Sequence, residues 1–394
     1  MTKSDRNLNF QHHSKGKTPL VCSTFATFED TDNFIKFKER ESKGKKTISD
    51  HEYSRYTNPT TDAAERKIAI LDRAEESALF SSGMNAITTT LLSEVSNGDK
   101  NSHFIFSSDL YTKTREFVDR FLTKTELELT IASHDEICNL NSIIRENTSL
   151  LFIESPANPL LRIHDLGKIS KICKAKGIKV IVDSTFASPE NYSPLEYGAD
   201  LTIASASKYI GGHNDLLAGS VSGNHELISQ LRITRGILGG ICAPDIAARI
   251  LRGLETIKIR VHKQNETGLN VARYLEKHKK VRKVWYPGLE SHPDYQIARD
   301  KFHGFGGVVP FEIDADLDLT SRFIDALQIP VIAPSFGGSE ALVSQTSLIS
   351  FYGASEEKKK AFGISDSLVR FVVGLHDSEE LISDLERAFK VIFA

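Results

Sequence analysis

A mostly parallel α/β sheet domain followed by a smaller α+β domain is the fold class this sequence predicts. Three observations carry that expectation. From about residue 75 to 220, short apolar runs alternate with helical stretches, the pattern of strand–helix–strand units in a parallel sheet. Two of the runs, residues 178–185 and 199–203, are short and largely apolar, as strands covered on both faces are. Past about residue 255 the alternation stops, and an amphipathic helix over 264–278 precedes separated strand patterns and a closing helix.

In chain order, residues 1–57 are polar and irregular. They cannot bury a core of their own, so they are expected to be disordered or to pack on another surface. Neither His12-His13 nor the charge run Lys43-Gly44-Lys45-Lys46 is assigned a function. Asn58-Pro59 marks a turn, and Pro59-Thr60-Thr61-Asp62 opens a helix with Ala64, Ile68 and Leu71 at helical spacing. The stretch Ala78-Leu79-Phe80-Ser81-Ser82-Gly83-Met84 reads as a strand turning through small residues into a helix. Further strands are expected at 103–108, 127–132 and 149–156, followed by the two apolar runs named above. In the last part, 306–313 and 368–375 read as strands. Asp377 with Glu380 can form a variant capping box for a final helix whose Leu381, Leu385, Phe389 and Ile392 share one face. The chain thus divides into an arm (1–57), a large α/β domain (58–254) and a smaller α+β domain (255–394).

Composition narrows the function classes. With 394 residues, 40% of them hydrophobic, the chain can bury a large core, and a net charge of −3 gives no electrostatic case for nucleic acid or a membrane surface. No apolar run approaches the roughly 18 residues of a membrane span. Residues 1–7 carry no apolar signal region. Cys22, Cys138, Cys173 and Cys242 are scattered with no pair at metal spacing, and the histidines form no His-x-x-x-His cluster. No metal is expected, and the cysteines read as reduced thiols of a cytoplasmic protein.

The chemistry concentrates around Ser205-Ala206-Ser207-Lys208-Tyr209-Ile210-Gly211-Gly212-His213, which follows the run at 199–203. Burying an ammonium is costly. Lys208 therefore either snorkels at a strand end or is desolvated, with a lowered pKa that suits Schiff-base chemistry. Asp183, near the end of the run at 178–185, is either a cap or turn residue or an acid at the carboxyl end of a parallel strand, where open sheets bind ligands. A lysine to hold an aldehyde and an acid to keep a pyridine nitrogen protonated are what a pyridoxal phosphate enzyme requires. Ser82, Gly83 and Met84 open a helix whose bare N–H groups can hold an anion, or they form a plain tight turn. Tyr53 and Arg55 point the same way along an extended segment. They suit a phosphate or make ordinary surface contacts. Tyr111, just past a strand, either stacks on a flat ligand or packs half-buried, with Lys113 and Arg115 beside it. Arg370 stands mid-strand among apolar neighbours, where it requires either a structural salt bridge or a substrate carboxylate.

Taken together, these residues resemble the Cys/Met-metabolism family of pyridoxal phosphate enzymes, which includes cystathionine γ-synthase, cystathionine γ- and β-lyases and methionine γ-lyase. The resemblance runs from about residue 50 to the C-terminus. It rests on Tyr53-Ser54-Arg55 with Asn58-Pro59-Thr60, Ser82-Gly83-Met84, Leu110-Tyr111, Glu154-Ser155-Pro156-Ala157-Asn158-Pro159, Val182-Asp183, Ser205-Ala206-Ser207-Lys208-Tyr209, Ser335-Phe336-Gly337-Gly338-Ser339-Glu340 and Leu368-Val369-Arg370. The segments at 211–219, 305–309 and 332–338, and Lys113, look closest to the plant-type cystathionine γ-synthases of that family.

The resemblance implies the type I fold of pyridoxal phosphate enzymes, like that of aspartate aminotransferase, with the cofactor in the 58–254 domain. It implies that Lys208 holds the cofactor, Asp183 pairs with the pyridinium nitrogen, and Tyr111 stacks on the ring and helps move protons. Ser82, Gly83, Met84, Ser205 and Ser207 would hold the phosphate, with Tyr53 and Arg55 reaching it from a neighbouring subunit. Asn158 would contact the phenolic oxygen and Thr185 would lie near the ring. Arg370 and Ser335 would take the substrate α-carboxylate, Glu340 would lie on the substrate side, and Lys113 would meet a leaving phosphate. The implied assembly is a homotetramer, a dimer of dimers with shared active sites.

The implied reaction is γ-replacement on an activated homoserine (O-phospho-, O-succinyl- or O-acetyl-) with cysteine to give cystathionine. The alternative is a γ-lyase, or a specialised-pathway enzyme acting on an unusual γ-substituted amino acid. That alternative is motivated by Val343-Ser344-Gln345-Thr346-Ser347-Leu348, which stands where the family usually has a Pro-Ala pair near the substrate mouth. A cofactor-free regulatory protein is the reading from another class, and intact Lys208 and Asp183 argue against it. No long plastid-type leader precedes the matching region, so a bacterial or otherwise cytosolic homologue is expected.

Overall fold

The computed structural model describes residues 18–42, 51–99, 101–349 and 351–393; His12-His13 and the 43–46 charge run lie outside them. Among the described residues two sheets form. The larger contains β1 (Glu76–Phe80), β2 (His103–Ser107), β3 (Glu128–Ala132), β4 (Thr148–Glu154), β5 (Lys179–Asp183), β6 (Leu201–Ala204) and β7 (Gly219–Gly223). Its order is β1-β7-β6-β5-β4-β2-β3, and β7 alone runs against its neighbours. A mostly parallel sheet is what the alternating pattern predicts, and the burial of β2, β5 and β6 matches their apolar runs.

β7 is the strand that pattern reading misses. Gly219-Ser220-Val221-Ser222-Gly223 carries one large apolar side chain, too little for a period, yet it is buried end to end between β1 and β6. Its glycines answer to close packing, because a Cβ on Gly219 would lie 2.3 Å from the Ser82 carbonyl oxygen.

The smaller sheet, β8 (Val281–Val284), β9 (Val308–Ile313), β10 (Val331–Ile332), β11 (Leu342–Gln345) and β12 (Leu368–Val372), has the order β10-β11-β12-β9-β8. β12 lies in the middle. Val369 and Phe371 face the core of the small domain, and by strand alternation Arg370 and Val372 turn to the opposite face, where Val372 joins the core of the large domain. The segment at 343–348, expected near the substrate mouth, is regular structure. It is strand β11 and a short helical turn, buried from 342 to 347 and pairing Ser344 directly opposite Arg370.

The helix expected at 264–278 is the last part of one 34-residue helix, Pro244–Lys277. Its first half carries Ala247, Ile250, Leu251, Ile257 and Val261 into the large-domain core. Its second half carries Val271, Ala272 and Leu275 into the small-domain core. One continuous helix therefore crosses position 254, the expected domain boundary. The final helix begins at Ser378, and the Asp377 carboxylate is paired with Lys263 of the long helix.

The arm is more ordered than its polarity suggests. Thr31–Ser42 is a helix, and Phe28, Phe34 and Phe37 pack ring on ring, with Phe37 only 2% exposed. Asn58 caps the helix Pro59–Asp72 and also donates to the Val21 carbonyl, while Val21 N–H donates to Thr60 Oγ1 at 2.9 Å. The described arm thus folds back onto its own chain.

Candidate active site

The carboxyl ends of the parallel strands lie along one edge of the large sheet, and the reactive side chains sit there. Asp183 is the last residue of β5, Glu154 the last of β4, and the two face each other across the register. Four residues after β6 comes Lys208, three residues after β1 comes Gly83, and four residues after β2 comes Tyr111. The predicted set is gathered by sheet order rather than by sequence proximity.

Lys208 reaches from the turn after β6 to the segment that follows β10. Its Nζ donates to Ser335 Oγ at 2.9 Å and stands 5.1 Å from the centre of the Phe336 ring, which stacks on Phe186 at 4.0 Å. Burial lowers its pKa to about 8, with the Arg370 guanidinium contributing. A lysine in this state has the accessible neutral form that a nucleophile needs.

Asp183 is buried and its pKa is raised by that burial, against hydrogen bonds that favour the anion. Asp183 Oδ1 accepts from Thr185 N at 3.0 Å and Thr185 Oγ1 at 2.6 Å. Thr185 Oγ1 in turn accepts from Ser205 N at 2.9 Å, which ties the acid to the lysine turn.

Glu154 is a site residue to which sequence reading gave no role. It accepts from Tyr111 N at 2.7 Å and from Asn158 N at 3.2 Å, so one buried carboxyl places both flanking groups. Burial, then the Asp183 charge, holds its pKa well above the usual carboxylate range. The signal was present: a charged residue closing an otherwise apolar strand, as Asp183 closes β5. Asn158 Oδ1 is buried and has no partner.

Arg370 is 7% exposed, and its Nε and Nη2 are buried without partners. Burial lowers its pKa to about 10. Among the described residues Arg370 forms no salt bridge, which was the structural reading of it. A buried guanidinium with open donors is a receptor for a planar anion such as a carboxylate.

At the opposite wall, Ser82 caps the 15-residue helix Gly83–Asn97, with its Oγ accepting from Asn85 N at 3.0 Å. A Cβ on Gly83 would stand 2.9 Å from Ser205 Cβ, so the helix start and the lysine turn are in contact. Met84 packs beside it, its sulfur 3.9 Å from Thr114 Oγ1. Ser207 has turned elsewhere, because its hydroxyl accepts from Ala218 N at 3.0 Å and donates to Ala218 O at 3.3 Å.

Some expected residues stand apart from this cluster. Lys113 Nζ is bonded to Glu116 at 2.9 Å on an exposed helix face. Glu340 accepts from Asn214. Arg55 Nη1 donates to the Gly236 carbonyl at 2.7 Å and lies over the Tyr56 and Tyr53 rings at 4.7 and 5.5 Å. Tyr111 is 46% exposed, so its ring is free to meet a ligand.

Comparison with known proteins gives this geometry a context. The family model described as Cys/Met metabolism PLP-dependent enzyme matches residues 3–390. The chain is 44% identical over 376 residues to "Cystathionine gamma-synthase 1, chloroplastic" of Arabidopsis thaliana, covering 95% of this chain and 65% of that relative. It is also 44% identical to "Probable cystathionine gamma-synthase 2" of the same plant, covering 95% of this chain and 89% of the relative. An "L-methionine gamma-lyase" of Fusobacterium nucleatum is 36% identical over 343 residues, 86% of each.

Proposed function

The chain belongs to the Cys/Met-metabolism family of PLP-dependent enzymes, and from that premise we propose that it catalyses γ-replacement on an activated homoserine, with cysteine as the incoming thiol, to give cystathionine. Pyridoxal phosphate is its cofactor. The residues present fit it: a desolvated lysine, an acid at a strand end, a helix N-terminus pressed against Ser205, and an Asn158 oxygen with no partner. The observation that carries an amino-acid substrate is Arg370, with two open buried donors beside Lys208.

When bound, the cofactor supplies an electron sink for charge left at the substrate α-carbon. The rest is the work of this chain. Lys208 would hold the cofactor, Arg370 would fix the substrate α-carboxylate, and Ser335, which accepts from the Lys208 amine at 2.9 Å, would receive that amine when the substrate frees it. Lys208, neutral above about pH 8, would take the α-proton and then a β-proton as the γ-leaving group departs, and would return protons to the β- and α-carbons once the thiol has bonded to the γ-carbon. Asp183 would hold the cofactor's ring nitrogen in its protonated form, and Glu154 positions Tyr111 and Asn158 through their N–H groups. Lys113, in the first turn of the helix after Tyr111, would swing from Glu116 to a leaving phosphate.

The alternative, γ-elimination, draws on the segment 343–348, which stands where the family usually has a Pro-Ala pair and whose Ser344 lies opposite Arg370. Self-association as a dimer of dimers is part of the proposal. It is supported by exposed Ile233, Ile237 and Leu238 on the helix that also receives Arg55. A cytoplasmic location is likewise proposed and is compatible with four free cysteines.

The test is to incubate the holoenzyme with O-phospho-, O-succinyl- and O-acetylhomoserine, with and without cysteine, and to follow cystathionine and 2-oxobutyrate together. Cystathionine formed only with cysteine is the expected result. 2-Oxobutyrate at the same rate in both arms would replace γ-replacement with γ-elimination.

A further inference from the structure

At the far edge of the large sheet, away from Lys208, the fold assembles a group of side chains that the reaction does not use. β3 ends at Ala132, and Ser133 starts the short helix His134–Cys138 with a capping box: its N–H donates to Glu136 Oε2 at 2.8 Å, and its Oγ accepts from Glu136 N at 3.3 Å. Spacing of i, i+4 brings His134 and Cys138 to one helix face. His164, in the segment before the helix Leu166–Ala175, stacks on His134 with ring centres 4.4 Å apart. One ligand atom from each of His134, Cys138 and His164 lies within 4.8 Å of the others.

We propose that these three residues bind a divalent transition metal of the zinc class, at a site separate from the reaction centre. His164 is 0% exposed and neither ring nitrogen has a partner; His134 Nδ1 is also buried without one. Sealed, unsatisfied imidazole nitrogens are costly, and a metal ion satisfies them. Zinc bonds of about 2.0–2.3 Å place tetrahedral ligand atoms roughly 3.5 Å apart, so small side-chain rotations close the observed group. Two imidazoles and a thiol select zinc or cobalt over magnesium or calcium.

The protonation states agree with this chemistry. Burial pushes His164 down to about 3 and His134 downward, so both rings are neutral and able to ligate near neutral pH. Burial and the Asp294 charge raise the Cys138 thiol. On ligation its S–H bond breaks, a sulfur–metal bond forms and the proton leaves to solvent. Asp294 Oδ1 stands 3.8 Å from His134 Nε2, held by Arg162 and by Ile163 N–H at 2.8 Å, as a neighbour for the histidine or a fourth ligand. The ion would fasten the helix after β3 to the segment 155–164, which includes Asn158 and whose Ser155 Oγ accepts from His164 N–H at 3.2 Å.

The experiment is equilibrium dialysis of the untagged holoenzyme against Zn²⁺, with Co²⁺ as a spectroscopic probe, for the wild type, Cys138→Ser and His134→Ala. Cys138 is exposed, so its variant keeps the fold. One ion per chain is expected, with affinity lowered about 100-fold or more in Cys138→Ser, since even changes beyond the ligands cost about 10- to 100-fold. The Co²⁺ form should show a thiolate charge-transfer band that Cys138→Ser lacks. No bound ion, or equal binding by wild type and both variants, would overturn the proposal and leave an adventitious ion or a water-bridged histidine pair.

Discussion

Replacing Arg370 with leucine should separate binding from stability in opposite directions. The guanidinium is buried with Nε and Nη2 unpartnered, and burial pushes its pKa from 12.5 to about 10. At about 1.4 kcal/mol for each pKa unit, holding it charged in the folded state costs on the order of 3 kcal/mol. The sign follows: the unfolded arginine binds its proton more tightly, so the folded state is penalised at neutral pH, and leucine removes the penalty while adding apolar surface. The unfolding midpoint of the cofactor-free protein should therefore stay level or rise in Arg370→Leu. Substrate binding should fall, because losing one partner of a buried charged pair costs about 2–5 kcal/mol. That is a rise in KM of roughly 30- to 4,000-fold, taking 1.4 kcal/mol per factor of ten. Steady-state kinetics with differential scanning fluorimetry reads both. An unchanged KM, or a lower midpoint with an unchanged KM, would refute the assignment of Arg370 as the carboxylate clamp.

Other perturbations test the remaining parts. Because burial lowers Lys208 to about 8, its neutral form becomes available above that pH. The rate at which the cofactor-free protein takes up pyridoxal phosphate should rise through about pH 8, whereas an ordinary lysine would place the rise near about 10.4. Glu154→Ala leaves the Tyr111 and Asn158 N–H groups without their acceptor. It should cost about 1–3 kcal/mol of stability in urea titration and lower kcat, and full activity would remove Glu154 from its positioning role. Gly219→Ala drives a Cβ to within 2.3 Å of the Ser82 carbonyl. Overpacking there should cost about 1–3 kcal/mol and weaken cofactor affinity by displacing Gly83; unaltered affinity would dissociate that contact from the phosphate wall.

Asp183 was legible because it closes an apolar strand, and Lys208 because it stands in the turn just past one, each a residue that packing alone does not favour. Arg370 was legible as a charged residue amid a strand of apolar neighbours, and its two unpartnered donors favour the carboxylate reading of it. Two kinds of feature were not legible. β7 has no hydrophobic period because its burial comes from strands on both sides, so tertiary pairing overrides local propensity. The junction of the domains was hidden because the Pro244–Lys277 helix changes cores midway without any break in its helical pattern. Lys113 is next to Tyr111 in sequence, but helix geometry turns it toward Glu116 and solvent. His134 and Cys138 stand four apart, but the group was not legible because a strand and its flanking segments separate His164 from them. The order of strands, not the distance along the chain, makes them neighbours.

The most direct test of the account is to reduce the holoenzyme with borohydride, digest it and map the pyridoxyl group by mass spectrometry. The account predicts one modified residue per chain, Lys208, and no labelling or visible cofactor absorbance in Lys208→Ala. Stable modification of a different lysine, or Lys208→Ala retaining full activity, would contradict it.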